Sequence, residues 1–267
     1  MLGLPCAVVT ADQDVRTNLP VIPRKEFVKK FGKEYGGKPR ALTMLGPSHR
    51  GKSRLCVELL SVVISPTLKA LVLVGKPPGR ERTWSDDTAK KLHLRIIETY
   101  PPSWSIKDRS NNGWMLRPRH TMSDPERDDA HVKDQFKKGI RGAYATKPNR
   151  KIITVVDEGH HVHESMGLKK DCEAPLMRGL PDNAMWTLAQ RGRFLSYLCY
   201  DAPEDIIIFK DDDEDNQARY GQITGFNRRQ IIEVTRNLRT ERVAPEGNTI
   251  SQALYISRSG DMCIIDT

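Results

Sequence analysis

A chain of 267 residues can bury one large α/β core, or one core with a small appendage, and is too short for a tandem array of enzyme-sized domains. Its 43 Lys+Arg against 34 Asp+Glu, a formal net charge of +9, favour a polyanionic partner, nucleic acid before a membrane surface. Five scattered cysteines without a CxxC pair argue against a disulfide framework or a zinc knuckle, and no apolar run reaches the ~18 residues of a membrane span, so a reducing, cytosolic setting is expected.

Residues 1–39 read as a basic arm or accessory segment, in which PRKEFVKKFGKEYGGKPR predicts a cationic amphipathic helix ending at Gly36 and Gly37. The regular pattern of a single domain, 40–267, then begins. ALTML is a short buried strand, a glycine-bounded loop follows, and SRLCVELLSVVI has helical spacing. ALVLVG, Ala70 to Gly75, is the next strand. An irregular insertion, 76–118, rich in Pro, Gly, Trp and charge, is expected to hold one helix from Asp86 to Thr99 and a strand at WMLRP. A helix from His131 to Tyr144 precedes KIITVV, a β-branched run suited to a strand covered on both faces. AMWTLA and DIIIF are further strands. The acidic run after Phe209 caps a helix over DNQARYGQI or forms a solvated turn; a helix from Arg228 to Arg239 and a hairpin turning at Ser259 and Gly260 complete the chain. The alternation of strands with helices predicts an α/β fold, a mainly parallel sheet with helices on both faces.

Three elements carry chemistry. GPSHRGKSR, residues Gly46, Pro47, Ser48, His49, Arg50, Gly51, Lys52, Ser53 and Arg54, matches G-x-x-x-x-G-K-[ST] with a strand before it and a helix after it. Such a loop wraps phosphate oxygens with backbone N–H groups, its lysine reaches the outer phosphates, and its serine can hold Mg²⁺. About 100 residues later KIITVVDE ends in Asp157, a second magnesium-holding candidate, and Glu158, a candidate general base. Carboxylates at the carboxyl end of a parallel strand face the crevice where α/β proteins bind ligands. AMWTLA leads into Gln190, a polar amide able to sense a terminal phosphate and orient water. The histidines of GHHVHE lack the H-E-x-x-H spacing of zinc hydrolases and read as a polar segment beside the site.

The order GPSHRGKS, VVDEGHH, Arg178-Gly179 leading into MWTLAQRGRF, and IIIFKDDDEDN resembles the HerA/FtsK group of ring-forming, DNA-pumping P-loop ATPases over residues 40–239. Ala-Gln-Arg-Gly stands where that group often has Thr-Gln-Arg-Pro, and Pro47 and His49 occupy variable loop positions. The resemblance implies a RecA-like P-loop NTPase core of the ASCE type that uses ATP and Mg²⁺, with Lys52, Glu158 and Gln190 catalytic. Arg178 is the candidate arginine acting across a subunit boundary, with Arg191 and Arg193 behind it. It further implies a pentameric or hexameric ring acting on double-stranded DNA, in the host cytoplasm or associated with a virion if viral, against a capsid portal or vertex protein. Packaging of a viral genome is the favoured role, since no nuclease or winged-helix appendage is recognisable. A conjugation or plasmid-transfer ATPase, a nucleotide-dependent binding switch and a small-molecule kinase are the alternatives. Basic residues in 76–107, 117–119 and 133–150, with Trp84, Trp104 and Trp114 among them, are collectively the expected polymer contacts, while any one of them reads first as solvated basic surface or, for the tryptophans, as a core anchor for its loop.

Overall fold

The computed structural model describes residues 19–76, 82–101, 110–121, 123–144, 151–178, 182–221, 223, 227–243 and 248–266. Along the central strands, apolar side chains alternate between two cores, as the two-residue period of a strand requires. In β6 (Lys151–Val156), Ile153 and Val155 face one core while Ile152 and Val156 face the other. In β8 (Asp205–Phe209), Ile207 and Phe209 alternate in the same way with Ile206 and Ile208. Both faces therefore need helical cover, and both have it.

The strands before β6 are β1 (Val21–Pro23), β2 (Leu42–Leu45), β3 (Leu68–Leu73), β4 (Leu94–Ile97) and β5 (Gly113–Leu116). Those after it are β7 (Asn183–Ala189), β8, β9 (Thr240–Val243), β10 (Asn248–Ser251), β11 (Ala253–Ser257) and β12 (Met262–Asp266). Ten of them form one sheet in the order β1-β12-β11-β8-β2-β7-β6-β3-β5-β4, and β9 and β10 pair separately. From β8 to β4 every pairing is parallel; only β11 runs against its neighbours β8 and β12. Helices α1 (Arg24–Tyr35), α2 (Lys52–Val63) and the short α3 (Asp86–Lys91) cover one face. The other carries α4 (Pro125–Tyr144), α5 (Lys169–Arg178), α6 (Leu198–Asp201), α7 (Glu214–Tyr220) and α8 (Arg228–Asn237). This is the expected α/β architecture. Among the described residues no helix is long and apolar enough to cross a membrane.

The insertion differs from expectation. The helix expected over Asp86–Thr99 stops at Lys91, and its second half is β4, parallel to β5. His93, at φ +53°, turns the chain out of the helix, and the branched residues of Leu94–Ile97 suit an edge strand better than a helical turn. The helix expected from His131 begins earlier, at Pro125, where the Asp124 side chain caps it by accepting from the Arg127 N–H at 3.1 Å and the buried Asp128 accepts from the Thr121 N–H and hydroxyl. The acidic run does cap a helix: the Asp213 side chain accepts from the Asn216 N–H at the start of α7. From Leu19 onward the amino-terminal segment shares the main core. β1 pairs with β12, and Phe27, Phe31 and Tyr35 of α1 pack among β-strand residues, with Phe27 edge-on to Tyr255 at 5.0 Å.

Just past this segment, a half-buried ion pair closes onto the sheet. Arg40, just before β2, forks onto Asp205 with bonds of 2.8 and 3.0 Å, and Tyr255 donates to the same carboxylate at 2.8 Å. Burial pushes the Asp205 carboxyl up from its ordinary range, against the pull of Arg40. Asp205 is fully buried whereas the Arg40 side chain is 25% exposed, so it is Arg40→Ala, which strands the buried carboxylate, that is expected to lower stability by about 3–5 kcal/mol in urea unfolding. A loss below ~1 kcal/mol would show that the pair is replaceable.

Candidate functional site

The loop between β2 and α2 can close because of its glycines. Gly46, at φ +135°, passes so near β8 that a Cβ there would lie 2.8 Å from the Phe209 Cβ. Gly51, at φ +94°, is the left-handed residue from which α2 starts. His49 also has positive φ, +60°, and with Ser48 and Arg54 it is exposed. Arg54 leans along α2 to Glu58 at 3.5 Å, and Glu58 also accepts from Arg24 at 2.6 Å. The side chains of His49 and Arg54 therefore lie outside the loop's interior, and Arg50 is half-buried.

Lys52 is the centre of the loop. It is 6% exposed, and its ammonium donates to the Gly46 and Pro47 carbonyls at 2.5 and 2.6 Å. Burial pulls its pKa down to about 8, opposed chiefly by the negative field of Asp157 and then Asp211. Asp211, fully buried beyond β8, is held by Asn216 at 3.0 Å, by the Asp213 N–H at 3.0 Å and by the Tyr220 hydroxyl.

Sheet order brings the acidic pair to this loop. β7 lies between β2 and β6, so the carboxyl ends of all three strands are adjacent. Ser53 Oγ stands 3.4 and 3.3 Å from the two Asp157 oxygens, a separation too long for a strong hydroxyl–carboxylate bond. A hydroxyl facing a carboxylate is a hard oxygen donor set that fits Mg²⁺, which takes one or two protein oxygens and completes its shell with water and phosphate. Among the described residues no group of three His, Cys, Asp or Glu could hold a metal ion unaided. Asp157 is itself fixed: Oδ2 accepts from the Trp84 indole at 2.8 Å and Oδ1 from the Glu158 N–H at 3.0 Å.

Glu158 has φ +56°, an uncommon backbone for a residue with a long side chain. Gly159 next to it leaves no room for a Cβ, which would sit 2.6 Å from Thr187 Cγ2 of β7. The Glu158 carboxylate pairs with Lys76 at 2.7 Å and meets the Gln190 amide N–H at 3.5 Å. Gln190 in turn accepts from Ser48 at 2.5 Å, so it bridges the loop and the acidic pair. Lys52, Ser53, Asp157, Glu158 and Gln190 thus come together. Arg178 is the last residue of α5; its side chain and Gly179 lie outside the described residues.

Two residues of the site, Lys76 and Trp84, stood in the sequence only within the region expected to meet a polymer, the tryptophan also as a core anchor for its loop. Trp84 is fully buried, Trp114 is 2% exposed, and Trp104 lies outside the described residues. Arg117 donates to Asp86 at 2.7 Å and to the Trp84 carbonyl at 2.6 Å, bracing the indole rather than offering itself to solvent. The signal for Trp84 and Lys76 was their position at the ends of the crossover that leaves β3, the strand beside the acidic one. His163, placed by sequence in a polar flank, is instead 1% exposed in a π-helical turn, His161–Ser165, and burial pulls its pKa down to about 4.

A parallel sheet with the loop strand flanked by β7 and β8, an acidic pair one strand further on, and helices on both faces is the fold of the P-loop NTPases. The chain is similar to the genome packaging NTPase B204 from Sulfolobus turreted icosahedral virus 2 in complex with AMP, at 13% identity and TM-score 0.51 over 85% of this chain and 97% of that one. The complex of the same protein with ATP-gammaS matches at 14% identity and TM-score 0.50, over 85% and 97%. B204, the DNA-packaging ATPase from Sulfolobus turreted icosahedral virus, matches at 13% and 0.50 over 87% and 98%. No protein-family model matches the chain, and no curated protein matches it in sequence.

The indole bond generates a test. Trp84→Phe keeps the ring buried but removes the donor, and is expected to cost about 1.5–3 kcal/mol in urea unfolding, the range for a hydrogen bond to a charged group. Combined with Asp157→Asn, the two losses should fall short of additivity by about 1 kcal/mol or more; strict additivity would show that the indole does not hold the carboxylate.

Proposed function

We propose that this protein is a Mg²⁺-dependent ATPase that assembles as a ring and translocates double-stranded DNA, in the role of a viral genome-packaging motor. The observation that carries the reading is the meeting of Ser53 and Asp157 across a 3.3–3.4 Å gap, with Glu158 and Gln190 beside them on adjacent strand ends. Lys52 exchanges its two loop carbonyls for phosphate oxygens, and the N-terminus of α2 adds backbone N–H groups. Ser53 and Asp157 would hold a Mg²⁺ ion, which would supply neutralisation of charge on the phosphate oxygens. Glu158 accepts the proton of the attacking water, and Gln190, already spanning Ser48 and Glu158, orients that water. Arg178 serves the neighbouring subunit's site, supplying a guanidinium to the transferred phosphoryl group. The excess of positive charge in the chain suits a phosphate backbone gripped without reading its sequence. The likeness to packaging ATPases of icosahedral viruses supports the choice of role; a capsid portal or vertex in the host cytoplasm is the partner that this role would require.

ATP hydrolysis by wild type and Glu158→Gln, with and without double-stranded DNA, tests the reading. DNA should stimulate the wild type, and the substitution should cut turnover about 10²–10⁴-fold, the usual worth of a general base. Turnover indifferent to DNA would reject the motor.

The depressed pKa of Lys52 gives a pH signature. A phosphate binds the ammonium form, so above about 8 the free protein must take up a proton to bind nucleotide. Affinity for a fluorescent ATP analogue should be flat just below that pH and weaken above it, by at most about tenfold per pH unit. Lys52→Arg, charged throughout, should remove this dependence; an unchanged profile would dissociate it from the lysine.

A further inference from the structure

The amino-terminal segment brings a cation to the phosphate loop from outside the loop's own sequence. Arg24 opens α1, and its Nη1 and Phe209 Cε1 of β8 stand 3.6 and 3.9 Å from the point that a Cβ on Gly51 would occupy. Glu58, in the second turn of α2, fixes the guanidinium by accepting from Nε at 2.6 Å. Nη2 of the same group is buried and has no hydrogen-bond partner among the described residues, and the side chain is 14% exposed.

This is an unfavourable place for an arginine whose only task is to pair with Glu58. The first turn of a helix repels a cation, because its free N–H groups carry the positive end of the macrodipole; Arg24 occupies the start of α1 and lies against the start of α2. A guanidinium donor buried without an acceptor adds its desolvation cost. An anion beside Gly51 offsets both penalties. The site described above says which part of a nucleotide that anion is. Ser53, Asp157, Glu158 and Gln190 mark the outer-phosphate end of the loop, toward β6 and β7. Arg24 stands on the other side, toward β8, and the backbone N–H groups of such a loop cradle the α- and β-phosphates.

We propose that Arg24 binds the α-phosphate of the nucleotide, completing the inner end of the loop with a guanidinium supplied by the amino-terminal segment. The inference rests on the loop being a nucleotide site. When Lys52 exchanges the Gly46 and Pro47 carbonyls for phosphate oxygens, Nε stays on Glu58, and Nη1 and Nη2 are the arms left to meet the phosphate. Their planar fork suits two phosphate oxygens. Arg54, which leans on the same Glu58 at 3.5 Å, is 73% exposed and stays at the rim.

The test titrates ATP with Mg²⁺, and separately inorganic tripolyphosphate with Mg²⁺, into wild type, Arg24→Met, Arg24→Lys, Glu58→Gln and Lys52→Ala by calorimetry. Tripolyphosphate has the three phosphates but neither ribose nor base. Arg24→Met should weaken both ligands about 10–100-fold, the usual worth of a hydrogen bond to a charged group. Arg24→Lys keeps the charge without the fork and should recover part of that loss. Glu58→Gln breaks the same ion pair but leaves the guanidinium, so it should lose stability in urea as Arg24→Met does while weakening ATP by less than about threefold. Equal losses of affinity in Glu58→Gln and Arg24→Met would reduce Arg24 to a brace between α1 and α2 and overturn the proposal. A loss for ATP with tripolyphosphate unaffected would move the contact to ribose or base and overturn the α-phosphate assignment. If Lys52→Ala abolishes ATP binding while Arg24→Met leaves it unchanged, the loop stands and the role of Arg24 fails. If Lys52→Ala leaves ATP binding intact, the nucleotide reading of the loop fails and takes this inference with it.

Discussion

A single buried ammonium organises the site. Lys52 is desolvated at the start of α2, and a charge in that position is tolerated only with close oxygen partners. The chain supplies them by folding the loop back so that the Gly46 and Pro47 carbonyls meet the ammonium. That closure needs a residue without Cβ against Phe209, and it needs two negative side chains within electrostatic reach, Asp157 from β6 and Asp211 from beyond β8. The loop, the acidic pair and the exit of β8 are thus set by one requirement.

Sheet order converts that requirement into an arrangement of functional groups. β7 sits between the loop strand and the acidic strand, so the polar tip of β7 necessarily lies between the loop and the acidic pair. Gln190 uses that place to touch Ser48 on one side and Glu158 on the other. Two residues between β3 and α3 reach the same pair of carboxylates: Lys76, three residues after β3, binds Glu158, and Trp84, two residues before α3, binds Asp157. The acidic pair is consequently held from both flanks, and each carboxylate has its own set of donors.

The parts of the fold legible in sequence were those written in local chemistry. β-branched runs marked β6 and β8, helical spacing marked α2, and the glycine-bounded loop with its lysine and serine identified its own surroundings. What escaped depended on partners distant in the chain. The segment Leu94–Ile97 looked like the tail of a helix because its pairing with β5 cannot be seen locally. Trp84 read as a core anchor for its loop, as its burial bears out, and Arg117 as basic surface, but nothing local shows which group the indole would meet. In the fold, the arginine braces a buried indole that points at Asp157. Burial of His163 was hidden for the same reason: its segment is polar in composition, yet the π-helical turn rotates that ring inward.

Glu158 stands where backbone preference and reactivity disagree. A left-handed conformation at φ +56° is most comfortable for glycine, and a side chain there carries a conformational cost of order 1–3 kcal/mol. Selection for stability alone would empty the position of its carboxylate. Under the proposed role as base, a glutamate there would record a different optimum, in which the fold concedes part of its margin to keep an acid at the mouth of the cleft, and a consensus design that scores folding alone would remove it.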